Sequence, residues 1–143
     1  MTPEQVRLIR ESWNSVASIA DSAVTQFYNR LFEIDPTTRP LFHATSMPEQ
    51  RRKVVQALSL AVQSADDLAA LTPVLQQLGR GHHGYGVTAG QYKSVGAALL
   101  WTLEHGLAPQ WTPAMAAAWT ELYGSISAVM LRAADEMPRD RAA

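Results

Sequence analysis

The sequence predicts an all-α fold, and three observations carry that reading. Apolar residues recur at three- and four-residue spacing through most of the chain. Prolines fall near apparent helix starts and in one short connection, where a missing N–H does least harm. No stretch alternates apolar and polar residues with the period of two that a half-buried strand requires. At 143 residues, the chain suits one domain, 1–143, able to bury roughly two-thirds of its unfolded surface.

The elements follow in order. Thr2-Pro3 with Gln5 reads as an N-cap, a proline in the first turn and a capping box, predicting a first helix over about 3–18. Val24, Phe27, Tyr28, Leu31 and Phe32 mark a second helix after Asp21, stopped by Asp35-Pro36. Pro36 to Phe42 contains two prolines and predicts a tight turn or 3₁₀ segment, leading into a loop at His43, Ala44 and Thr45. Ser46 with Glu49 reads as another capping box, and Gln50, Val54, Leu58 and Val62 share one face of the helix it opens. A shorter helix begins near Thr72-Pro73, with Val74, Leu75 and Leu78 on its buried side, and breaks within Gly81 to Gly86. Two long helices complete the chain. Thr88 and Gln91 start the first, marked by Tyr92, Val95, Leu99 and Leu103; Thr112-Pro113 starts the second, marked by Met115, Trp119, Leu122, Ile126 and Val129.

Composition removes several classes of function. With 47% hydrophobic and 17% charged residues and a formal net charge of -1, the chain has neither a disordered composition nor a basic nucleic-acid footprint. Its lack of cysteine excludes disulfides, thiolate-held iron–sulfur clusters, thioether-linked haem and a covalent bilin. No run approaches the ~18 apolar residues of a membrane span, and the first residues lack a signal-peptide pattern, so a soluble cytoplasmic protein is expected. No flavin or kinase partner lies within these residues, so any electron donor is expected to be separate.

Of four histidines, His82 alone lies plainly on an apolar stripe, eight, seven and four residues after Val74, Leu75 and Leu78. His83 follows Gln76, Gly79 and Arg80, which read as a polar side. On this feature alone, His82 is either a core histidine satisfied by a backbone carbonyl or an iron ligand. Gln50 opens an apolar stripe and Tyr28 lies within one; singly, these are a solvated glutamine and a core tyrosine. Together the three supply one potential metal ligand and two hydrogen-bond donors from three helices.

The stretches Phe27-Tyr28-Asn29-Arg30-Leu31-Phe32, Asp35-Pro36 through Arg39-Pro40-Leu41-Phe42, and Leu78-Gly79-Arg80-Gly81-His82-His83-Gly84-Tyr85-Gly86-Val87 closely resemble single-domain bacterial haemoglobins and the haem domain of flavohaemoglobins. Neuroglobin is similar around His82. The resemblance implies a globin fold, six or seven helices around one pocket for haem b. It makes His82 the proximal iron ligand, Phe42 the aromatic on the haem plane, and Tyr28, Gln50 and Val54 the distal residues. Leu78, Val87, Tyr92 and Val95 would line the remaining walls, and Lys53 would pair with a propionate. The implied function is reversible O2 binding for storage, transport or protection. The alternative is NO dioxygenation, or related NO and nitrite chemistry, with a separate reductase. NO, CO and nitrite are further candidate ligands, a homodimer is left open, and neither nucleic acid nor a membrane is expected as partner.

Three positions qualify the likeness. Ala134 stands where flavohaemoglobins carry a glutamate bonded to the tyrosine near the proximal histidine, which weakens a peroxidase-like reading. Gly81 replaces a common lysine or arginine. His43, just after Phe42 in a loop flanked by Pro40 and Pro48, is expected to face solvent, and only a mobile loop would swing this second imidazole inward.

Overall fold

Helix starts are set by local chemistry. In the computed structural model, which describes residues 1–43 and 45–137, six α-helices run Pro3–Ala17 (α1), Ala20–Ile34 (α2), Met47–Gln63 (α3), Thr72–Gly84 (α4), Ala89–Leu107 (α5) and Pro113–Asp135 (α6). Two 3₁₀ segments, Pro36–Phe42 and Leu68–Leu71, join them; the second was not foreseen, and no strand occurs among the described residues. Ala44, read as part of the loop after Phe42, lies outside the described residues. Both threonine–glutamine capping boxes form, with Thr2 Oγ1 accepting from the Gln5 amide at 3.1 Å and Thr88 Oγ1 from the Gln91 amide at 3.2 Å. Thr112 Oγ1 accepts from the Met115 amide at 3.2 Å.

The box expected at Ser46 and Glu49 does not form. Ser46 occupies the N-cap of α3 without a side-chain cap bond, while the Glu49 carboxylate faces Arg52, 3.9 Å away. The helix starts on the bond from the Gln50 amide to the Ser46 carbonyl, 2.9 Å, and on Pro48, which has no amide to satisfy. At the other end of the glycine-rich stretch, α4 closes in a Schellman motif. Gly86 has φ +83°, its amide donates to His83 O, and the Val87 amide donates to His82 O.

The main core is formed by α1, α2, α5 and α6, with Ile9, Leu31, Leu103, Trp119 and Leu122 at or below 1% exposure. Side chains of this size each contribute about 1.5–3 kcal/mol on burial. Trp119 Nε1 donates to Ser12 Oγ at 2.8 Å, so the one polar atom of the indole is satisfied inside the core. α2 lies along α5, α3 leans on α1 and α2, and α4 lies along α6. A second cluster of Leu71, Leu75, Tyr92 and Met130 fastens α4 to α5 and α6.

The orientation of α4 corrects the expectation for Val74 and Leu78, which are 43% and 39% exposed. Leu75 and Gly79 face α6 instead. Gly79 reads as polar in sequence, yet a Cβ built there would collide with the Met130 carbonyl oxygen. The missing side chain lets the two backbones meet, which turns Val74 and Leu78 away from the core. No helix among the described residues is long and apolar enough to cross a membrane.

Candidate functional site

The expected site residues fall into two groups on different elements. The first surrounds Tyr28, which is buried on α2. Its ring meets Phe27 edge-on at 5.0 Å between centroids and Phe42 edge-on at 5.3 Å, and Phe32 lies 5.8 Å from Phe42. Helical spacing puts Phe27, Tyr28 and Leu31 on the inner face of α2, and the 3₁₀ turn after Asp35-Pro36 carries half-buried Phe42 back over Tyr28. From α3, Gln50, Val54 and Leu58 are each half-buried.

Burial pushes the Tyr28 phenol above its ordinary pKa. Hydrogen bonding by Gln50 and the positive charge of Arg51 act in the opposite sense. The hydroxyl is thus a protonated donor across the neutral range, with an amide beside it. Arg51 was missed by sequence reading. It is half-buried on the face of α3 that continues through Val55 and Leu58, a stripe the sequence does contain.

The second group surrounds His82. Its Nδ1 lies 2.7 Å from the Leu78 carbonyl oxygen, one helical turn earlier. A carbonyl only accepts, so Nδ1 carries the proton and Nε2 keeps its lone pair available to a metal. The His82 ring is half-buried and lies 6.1 Å from the Tyr92 ring. Tyr92 is buried, and its Oη has no hydrogen-bond partner among the described residues. Burial raises its pKa too. Ala134, half-buried on α6, supplies no carboxylate to it. Val87 packs with the Tyr92 cluster, and Val95 packs half-buried against the main core. Leu78 presents exposed apolar surface one turn before His82.

Lys53 is exposed and in no ion pair among the described residues. His43 and His83 are exposed. A surface cleft of about 660 Å³ opens beside Phe42, lined by Phe32, Arg39, His43 and Met47 among others, with no residue from α4. No three His, Asp or Glu side chains among the described residues cluster closely enough to hold a metal unaided.

The helical fold thus carries half-buried His82 on α4, buried Tyr28 on α2 and half-buried Gln50 on α3. The globin family model matches residues 25–130. Neuroglobin of Chaenocephalus aceratus is 33% identical, covering 91% of this chain and 90% of its own length. Neuroglobin of Danio rerio is 33% identical over 87% of each chain. A bacterial globin structure from Campylobacter jejuni superposes with a TM-score of 0.80 over 94% of this chain and 96% of its own, at 24% identity, and so speaks to the fold. The chain belongs to the globin family.

Proposed function

We propose that this globin holds haem b on His82 and binds O2 reversibly on the opposite face. The observation that carries the reading is the placing of half-buried His82 6.1 Å from the buried Tyr92 ring, with Nδ1 on the Leu78 carbonyl at 2.7 Å so that Nε2 is left as the ligand atom. Exposed His105 makes a like bond to the Trp101 carbonyl but stacks on Trp101. One imidazole is too few ligands for a bare metal ion, but suffices for an iron whose in-plane ligands come from a porphyrin. α3 and α4 pack on different neighbours, and Val54, Leu58, Val74 and Leu78 leave apolar surface that a flat macrocycle would cover. The buried Tyr92 hydroxyl, without a hydrogen-bond partner among the described residues, is a donor available to such a group.

When bound, haem supplies the iron that coordinates a diatomic gas. The chain supplies the rest. His82 would hold the iron through Nε2, while Phe42 and Val54 would restrict the space on the other side. Tyr28 and Gln50 offer hydrogen-bond donors, which favour a polar bound gas such as O2 over CO. Lys53 would meet a propionate in water, and Val87, Tyr92 and Val95 would shape the inner wall. NO dioxygenation would use the same residues with a separate reductase, so the donor decides between the readings.

Absorption spectra of the purified protein, oxidised, reduced and under O2 or CO, test the proposal. An intense Soret band with reversible O2-dependent changes is expected. A chain that neither carries haem nor takes it up would overturn the reading. Sustained NO consumption with a reductase would replace the carrier by the enzyme.

A further inference from the structure

In the sequence Asp35 is the stop signal of α2 and part of the Asp35-Pro36 motif. In the structure it sits at the centre of a polar tie between two elements distant in sequence. Its Oδ1 accepts from the Thr37 amide at 3.1 Å and from the Thr37 hydroxyl, and its Oδ2 accepts from Ser94 Oγ on α5 at 2.7 Å. Gln91, one turn before Ser94, donates Nε2–H to the Thr37 carbonyl at 3.3 Å and lies 3.2 Å from its hydroxyl oxygen. The tie therefore joins the first turn of the segment that ends in Phe42 to the first two turns of α5. Tyr92 lies between its two anchors in sequence.

Resting on the reading of the site given above, we infer that Asp35, Ser94 and Gln91 form a positioning clamp that sets the segment ending in Phe42 against α5, the helix whose Tyr92 ring lies 6.1 Å from His82, and so governs haem retention. Ser94 is the part most open to test, since among the described residues its hydroxyl alone carries α5 to Oδ2. Asp35 remains ionised at working pH because the Thr37 and Ser94 hydrogen bonds hold its carboxyl below the usual range. The bonds of the clamp to Asp35 are consequently charge-assisted, the stronger class of hydrogen bond. Without the clamp, Phe42 keeps its packing on Tyr28 and Phe32 but loses its reference to α5.

The test is the rate at which holoprotein gives up haem to an excess of a haem-scavenging apoglobin. Ser94→Ala is expected to speed loss about tenfold, and Ser94→Thr, which keeps a hydroxyl, to restore it. Ser12→Ala serves as a control because it breaks a core hydrogen bond to Trp119, and neither residue bonds to the clamp. It should lower Tm without speeding haem loss. Loss no faster in Ser94→Ala than in the parent, or equally faster in Ser12→Ala, overturns the clamp. A parent that never holds haem would refute the site reading itself.

Discussion

Gly79 of α4 and Met130 of α6 touch backbone to backbone: a Cβ on Gly79 would collide with the Met130 carbonyl oxygen and sit 2.7 Å from its Cα. Neither atom belongs to a side chain that can swing aside, so Gly79→Ala must push the helices apart. A loss of about 3 kcal/mol is expected. Gly81, with nothing within 4 Å of its Cβ position, is the internal comparison. Gly81→Ala should stabilise by about 0.5–1 kcal/mol through helix propensity. Urea unfolding midpoints of the two variants should move in opposite directions, and equal shifts would contradict the close approach.

His82→Ala should lose haem or require added imidazole, whereas His83→Ala, altering an exposed ring, should retain it. Haem content and the Soret spectrum of the two variants decide the matter. The reverse pattern would move the ligand to His83.

The reduced protein without added gas should be mainly five-coordinate. Gln50 offers no imidazole, and His43 is exposed at the end of the 3₁₀ segment. A low-spin bis-histidine spectrum that disappears in His43→Ala is the contrary result.

Tyr28→Phe and Gln50→Leu should each raise the O2 dissociation rate by roughly 5- to 30-fold, if each donor is worth about 1–2 kcal/mol, with little change for CO. The larger effect belongs to Tyr28, which the Phe27 and Phe42 rings hold in place. Because Gln50 acts on the Tyr28 phenol, lowering its pKa against the effect of burial, the double variant should depart from the sum of the singles. Stopped-flow release rates provide the measurement; unchanged release in haem-bound Tyr28→Phe would remove the phenol from the distal side.

High pH should destabilise the fold through its buried tyrosines. Burial raises the pKa of Tyr28, Tyr92 and Tyr123 in the folded chain, so above about pH 10 the unfolded chain binds fewer protons than the folded one. Their contribution is present below that pH and is lost as pH rises toward the folded values. Tm should fall between pH 10 and 12, less steeply in Tyr28→Phe. Parallel slopes in parent and variant would exclude Tyr28 as a contributor.

Helix positions were legible because their signals are local: Thr2 with Gln5, Thr88 with Gln91 and Thr112-Pro113 all cap as their spacing implies. The globin fold was legible from motifs around Phe27, Phe42 and His82. Contacts between elements were not. Gly79 looks polar in a one-dimensional pattern, and only the approach of α6 reveals it as a contact. Asp35 and Ser94 are 59 residues apart, and no period links them. Ser46 and Glu49 had the right spacing, but Glu49 turned to Arg52. Arg51 went unnoticed because a charged side chain within a basic run ordinarily faces water.

Gln91 uses both ends of its amide: Oε1 accepts from the Thr88 backbone at 2.9 Å while Nε2 donates to Thr37. Capping alone would accept glutamate equally well at that position. Glutamate has no N–H to offer and would place a negative charge against the Thr37 carbonyl. A residue that local rules regard as interchangeable is thereby confined to a single letter, and a substitution conservative for the helix severs the joint between two remote parts of the chain.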